Sequence, residues 1–262
     1  MLTIYLMIGI VAGILSGLFG VGGGVIVIPA LSHVFRHDAT IPSASIMQMA
    51  VGTSLAIMIF TATSALYAHQ KRKGVRWQVV KVMLPGLMLG SVGGAIIAHY
   101  LPSSWLRIIF GLFLVFIGLQ MIINKQPKPQ DKNHSLLFLR LSSFFIGTLS
   151  SLLGVGGGSL LVPFFLSHQL DMREATGTSI ACGLAVGVVA TISFMAAGYF
   201  AGSHIPDSTG YIYWPAFVGV VIASVLLAPL GAILAHKLPK EFLKKILGWF
   251  LLIMDCDMLF FK

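Results

Sequence analysis

Two glycine-rich tracts, Gly20-Val-Gly-Gly-Gly24 and Gly154-Val-Gly-Gly-Gly158, stand out as places where the chain itself could do chemistry. Each is followed by a proline, Pro29 or Pro163, five residues on. Glycine is a poor helix residue and tolerates unusual dihedrals, so each tract should break a helix. The half-helix that follows then presents free amides and the positive end of its dipole. Gly22-Gly23-Gly24 would open one such half-helix over Val25 to Val34, and Gly156-Gly157-Gly158 another over Ser159 to Ser167. Two such ends converging from opposite sides make an anion site without any fixed positive charge.

Polar side chains cluster near the tracts. Ser16, Ser150 and Ser159 flank the breaks. A repeated Gly-Thr-Ser motif supplies Thr53, Ser54, Thr178 and Ser179, expected in the first turns of the helices that follow, with Gln48 one turn earlier. Taken singly, a glycine tract reads as close helix packing and a helical Ser or Thr as bonding its own backbone. Their recurrence in matched positions favours a shared pathway, with Gly22, Gly23, Gly24, Gly156, Gly157, Gly158, Ser16, Ser150, Gln48 and the four Thr and Ser residues lining it.

Other chemistries find little to work with. Carboxylates are scarce within the apolar segments; Asp255 and Asp257 fall near the end of the last one, at the expected outer interface, so a buried acid relay or cation site is not indicated. His99 and His236 are repeat equivalents at helix ends, where histidine complements the dipole, and His69 reads as interfacial. Cys182 and Cys256 lie in apolar stretches and read as small packing residues, and the 12 methionines are dispersed. No Ser or Cys stands in a recognisable nucleophile–base motif. No catalytic residue, metal site or cofactor is assigned. The net charge of +9 sits in short loops and forms no basic helical face, which argues against a nucleic-acid partner.

The elements that must position the tracts are set by composition. Of 262 residues, 57% are hydrophobic and only 10% charged, too few to cover a soluble surface. Ala44 to Ala68 carries no charge, and a bilayer crossing needs about 20 apolar residues. The N-terminal Met-Leu-Thr-Ile lacks the basic start of a cleaved signal peptide and is expected to stay in the membrane.

The chain is also duplicated. Residues 13–29, GILSGLFGVGGGVIVIP, recur as GTLSSLLGVGGGSLLVP at 147–163, an offset of 134 (147 minus 13, 154 minus 20). Gly52-Thr53-Ser54 recurs as Gly177-Thr178-Ser179, Trp77 as Trp214, and Gly94–Pro102 as Gly231–Pro239. The halves are 1–123 and 136–262, joined by a polar linker at 124–135 with Pro127 and Pro129. Each half offers four apolar segments, at 2–34, 44–69, 79–101 and 104–123, then 136–168, 174–199, 212–236 and 242–261. Trp77, Trp105, Trp214 and Trp249 sit near segment ends, as interfacial anchors do.

The first segment of each half, about 32 residues, would make a straight helix of about 48 Å against a hydrocarbon core of about 30 Å. Charge decides what it does instead. With one crossing per segment, the 17 basic residues split almost evenly between the two faces. With the glycine segments re-entrant, the second half is inverted and every basic residue except Arg36, Arg107 and Lys262 falls on one face. The positive-inside rule names that face cytoplasmic and puts both termini outside. The expected fold is therefore an all-α polytopic membrane protein of two inverted repeats. Each repeat has a broken, re-entrant glycine-rich hairpin and three transmembrane helices, eight membrane segments in all.

At these residues the sequence resembles the sulfite exporter TauE/SafE family, also called the four-toluene sulfonate uptake permease family. The matching features are the paired GVGGG tracts with their prolines, the Gly-Thr-Ser after each, and the basic loop at 70–76; they span essentially the whole chain. The resemblance implies a transporter, with export the expected direction, in the bacterial inner membrane. Its implied partners are the lipid bilayer and a small sulfur-containing anion such as sulfite or an organosulfonate. The residues leave other readings open: an anion channel, a carrier for an unrelated small anion, an intramembrane enzyme, or a partner-binding membrane subunit. They do not set the oligomeric state.

Overall fold

The computed structural model describes residues 2–19, 23–71, 73–123, 136–202, 205–237 and 248–255. Among the described residues, α-helices run in chain order: α1 (Leu2–Phe19), α2 (Gly24–Arg36), α3 (Ile46–Lys71), α4 (Trp77–Tyr100), α5 (Ser103–Ile123), α6 (Leu136–Leu152), α7 (Gly158–Ser167), α8 (Met172–Phe200) and α9 (Trp214–Lys237). Residues 248–255 are helical as well. Among the described residues four helical stretches, Ser43–Lys71, Trp77–Tyr100, Ser103–Ile123 and Met172–Phe200, are long and apolar enough to cross a membrane, and several shorter apolar helices accompany them. Leu89, Leu112, Phe116, Ile192 and Leu226 point outward. So much exposed apolar surface suits lipid and would be a liability in water. The molecule is an α-helical membrane protein.

Both long glycine segments are interrupted as expected. Helix α2 starts at Gly24 and ends at Arg36; α7 starts at Gly158 and ends at Ser167. Two boundaries differ from the sequence reading. A 3-10 turn at Ser43–Ser45 leads straight into α3, and Asp171 precedes α8, so both helices begin well before their Gly-Thr-Ser motifs. Thr53 and Thr178 are the eighth and seventh residues of their helices, beyond the first turn. Helices are also not the only regular structure: Ser208–Thr209 pairs antiparallel with Ile212–Tyr213. Gly210, at φ +60°, makes the turn between these strands, a conformation an L side chain disfavours.

The two halves exchange their first helices. α1 packs on α9 and α6 packs on α4, each as an extensive helix–helix contact. A Cβ added at Gly13 would lie 2.7 Å from the Ser224 Cα, and one at Gly147 would lie 2.9 Å from the Leu87 Cα. Gly13 and Gly147 are repeat equivalents, as are Leu87 and Ser224, so one contact is the image of the other. Gly86, Gly90 and Gly94 continue the α4 seam against Arg140, Phe144 and Thr148, where backbone approaches backbone. Small residues allow this approach, and with it the packing and weak contacts that hold helices together in lipid.

Helix directions follow from the same contacts. Gly52 of α3 lies against Phe194 of α8, whereas Gly187 of α8 lies against Met58 and Ile59, so these two central helices run antiparallel. Tyr5, early in α1, and Phe35, late in α2, both set their rings against Tyr213, at 6.2 and 5.5 Å. The start of α1 and the end of α2 therefore share a level. In the second half Phe138, early in α6, stacks near His168, just past α7, at 6.3 Å. Each broken segment folds back on itself.

Candidate functional site

The glycine breaks meet. A Cβ at Gly24 would lie 2.5 Å from the Gly154 carbonyl oxygen and 3.1 Å from Ser54 Oγ. Ser54 Oγ donates to that same carbonyl at 3.2 Å. The chain can turn here because Gly154 adopts φ +61°, the one position in the second tract that calls for glycine on conformational grounds. The other glycines serve close approach instead. At Gly157 a Cβ would meet the Ser179 carbonyl oxygen at 3.0 Å and the Gly183 Cα at 3.3 Å, and at Gly156 the Met58 sulfur at 2.6 Å. Gly23 has room, with only Val27 Cγ2 at 3.8 Å. Gly22 lies outside the described residues.

Beside the second break is a cavity of about 80 Å³, enough for a few waters or one small ion. Ser16 of α1, Gly156, Gly157, Gly158 and Ser179 line it, together with Met58, Thr61, Ala62 and Ala65 of α3 and Ile180 and Gly183 of α8. None of these side chains carries a charge. The first backbone bond of α7 runs from the Leu161 amide to the Gly157 carbonyl at 2.6 Å. The amides of Gly158, Ser159 and Leu160 precede it and have no acceptor in their own helix. Ser159 Oγ turns back to the Gly156 carbonyl at 3.5 Å. What the cavity offers is thus hydroxyl and peptide donors at a helix start, which suits an anion with several acceptor oxygens.

The other expected lining residues are occupied elsewhere. The Tyr213 amide donates to Thr53 Oγ1 at 3.1 Å, and the Arg76 amide donates to Thr178 Oγ1 at 3.0 Å. Tyr213 and Arg76 each immediately precede the tryptophan that opens α9 or α4. Both threonines are fully buried, and each fastens the start of a helix in the opposite half. Gln48 Nε2 donates to the Leu101 carbonyl at 2.8 Å, closing the end of α4. Ser54 is committed to Gly154, as described above. Ser179 alone of the four Thr and Ser residues faces the cavity, while its hydroxyl donates to the Thr176 carbonyl at 3.0 Å. Ser150, the repeat equivalent of Ser16, is fully buried, and its hydroxyl has no partner among the described residues.

Sequence reasoning missed Met58, Thr61, Ile180 and Gly183 because nothing in an apolar or small residue marks it as a cavity wall. Asp255, expected near the end of the last segment, is only 4% exposed, with Oδ1 unpartnered among the described residues. The helix at 248–255 packs on α5, with Gly118 against Gly248 and Leu252. Asp257 and Cys256 lie outside the described residues. Among the described residues no group of histidine, cysteine and acidic side chains could hold a metal ion.

The family model described as sulfite exporter TauE/SafE matches residues 5–258. A "probable membrane transporter protein" of Haemophilus influenzae is 31% identical over 255 residues, covering 97% of this chain and 96% of that protein. A protein of the same description from Methanocaldococcus jannaschii is 27% identical over 267 residues, covering 99% and 96%. YunE of Bacillus subtilis, also a "probable membrane transporter protein", is 25% identical over 278 residues, covering 98% and 97%. No solved structure matches the chain.

Proposed function

The chain belongs to the sulfite exporter TauE/SafE family, and on that premise we propose that it exports a small sulfur-containing anion, sulfite or an organosulfonate, across the bacterial inner membrane. The anion sits at the meeting of the two glycine breaks, between the amides of the α7 start and the Ser16 hydroxyl, with Ser179 on the facing wall. The observation that carries this reading is the contact of Gly24 with Gly154 beside a cavity that has peptide and hydroxyl donors but no charged side chain. A sulfite or sulfonate group presents three acceptor oxygens, and helix-start amides can meet them without a fixed cation. Ser150 is a further donor one repeat away. Thr53, Thr178, Ser54 and Gln48 serve the site indirectly, by fixing the helices that carry it.

The topology in the membrane is part of the proposal. Antiparallel α3 and α8, and hairpins whose ends meet at Tyr213 and at His168, support two inverted repeats entered from opposite sides. The basic loops at 71–76 and 124–135 then lie in the cytoplasm. Alternating access would proceed by one repeat rocking against the other around the fixed breaks, as inverted-repeat carriers do.

The test is flux in proteoliposomes containing the purified chain, with sulfite, sulfoacetate and taurine offered in turn, with and without a pH gradient. Saturable uptake of one of these anions, reduced in Ser179→Ala, is expected. Uptake that never saturates would make the protein a channel. Absence of flux for every sulfur anion, with flux for an unrelated one, would overturn the substrate class.

A further inference from the structure

At the end of the molecule shared by the last turn of α2 and the first turns of α3 and α5 lies a second cavity, of about 330 Å³. It has no lining residue in common with the cavity at the glycine break. Arg36 and Arg107 face it, with Ser32, Ser43, Ser103 and Ser104 around them; no lining residue is acidic. The charge count leaves few cations at this end of the chain, and two of the three share this one cavity.

The two arginines have different standing. Arg36 closes the last turn of α2, where a cation complements the dipole, and its Nε lies 3.4 Å from the Ser32 carbonyl. A packing role is enough to explain it. Arg107 has no such account. It is the fifth residue of α5, close to the positive end of that helix, where a cation is disfavoured. Its Nε is buried with no hydrogen-bond partner among the described residues. Ser103 and the Met47 amide (Met47 N donating to Ser103 Oγ at 3.1 Å) bring the starts of α3 and α5 to the same wall, adding two positive dipole ends. Arg107 and the two helix starts add positive potential to a partly buried space whose lining includes no acidic side chain, which favours an anion there. A guanidinium pair also matches the planar geometry of paired oxyanion oxygens.

We propose that this cavity is an anion-binding site that takes a tetrahedral oxyanion between Arg36 and Arg107, with the Ser43, Ser103 and Ser104 hydroxyls completing its shell. The same chemistry fits a free sulfate-type ion or the phosphate of a lipid headgroup. The proposal does not depend on the glycine-break cavity being the transport site.

Sodium sulfate is the probe. The full chain is placed in nanodiscs of neutral phosphatidylcholine and titrated at constant ionic strength, with thermal unfolding as the readout. Saturable stabilisation is expected, with affinity weakened about tenfold or more in Arg107→Gln. Ser104→Asp, at an exposed position on the rim, should weaken it comparably without disturbing a buried contact. In discs of phosphatidylglycerol, a lipid occupant would appear as Arg107-dependent stabilisation that removes the sulfate response; a free-ion site would keep that response. The proposal is overturned if wild type, Arg107→Gln and Ser104→Asp respond alike to both sulfate and phosphatidylglycerol.

Discussion

The two cavities differ in what they offer an anion. The one at the glycine break is walled by backbone and small side chains, and its donors are peptide amides and hydroxyls fixed by the fold. The one at the ends of α2 and α5 is larger and carries two full positive charges. Fixed charges attract from a distance and hold tightly. Dipoles act only at contact, so they discriminate by shape and release more readily. A carrier that must let go of its cargo on every cycle has reason to keep cations out of its central site and to place them at an entrance.

The sharpest way to break this comparison is at Gly157. Valine there would press on the Ser179 carbonyl and the Gly183 Cα, both backbone, so the α7 start and α8 must move apart. Flux is expected to fall to background while the protein still reaches the membrane in normal amount; normal flux would remove the break from the pathway. The corresponding change at Gly23, where a Cβ meets only Val27, should be milder, and comparing the two separates a need for space from a need for glycine itself.

Next in size is the effect of the buried threonines. Thr53→Val leaves the Tyr213 amide without its acceptor, and Thr178→Val does the same to Arg76. An orphaned buried donor costs about 1–3 kcal/mol, so the unfolding temperature should drop in each variant, while flux per folded molecule persists. If either instead lost substrate affinity at unchanged stability, the residue would belong to the pathway after all.

Salt offers a gentler probe. Interactions of exposed charges fade as the Debye length shortens from about 10 Å at 0.1 M to about 3 Å at 1 M. Sulfate binding at the arginine cavity should weaken across that range, measured by titration at each ionic strength. The sulfite concentration for half-maximal flux should change less if uncharged donors dominate. Equal salt dependence would erase the distinction.

The smallest expected effect is at Arg76 and Glu174, whose side chains pair at 2.9 Å with 56% and 27% exposure. Glu174→Gln should cost no more than about 1 kcal/mol in a thermal-melt comparison, since solvent screens such a pair. A larger loss would mean that the Arg76 contact with Thr178 depends on the ion pair.

Much of this architecture is legible in the sequence because it rests on local or repeated features. The breaks are written in the glycine tracts, and the duplication shows in the recurrence of whole phrases such as Gly94–Pro102. The roles of Thr53 and Thr178 are not legible, since each depends on an amide in the other half that only the exchange of helices brings near. Arg36 and Arg107 look like scattered charges for a related reason: only the packing of α2 and α5 on α3 brings them to one cavity. The short strands at Ser208–Tyr213 were hidden for another reason: two residues each is too little for any alternation to register.

The exchange of first helices bears on how the protein is made. Helix α1 leaves the ribosome well before α9, yet α9 is the partner that covers Gly9 and Gly13. Until α9 inserts, the narrow face of α1 has only lipid or the insertion machinery against it. Neither half can complete its own packing, so maturation of the first half awaits the second. Two separately expressed pieces, cut within 124–135, would therefore be expected to need each other to survive quality control.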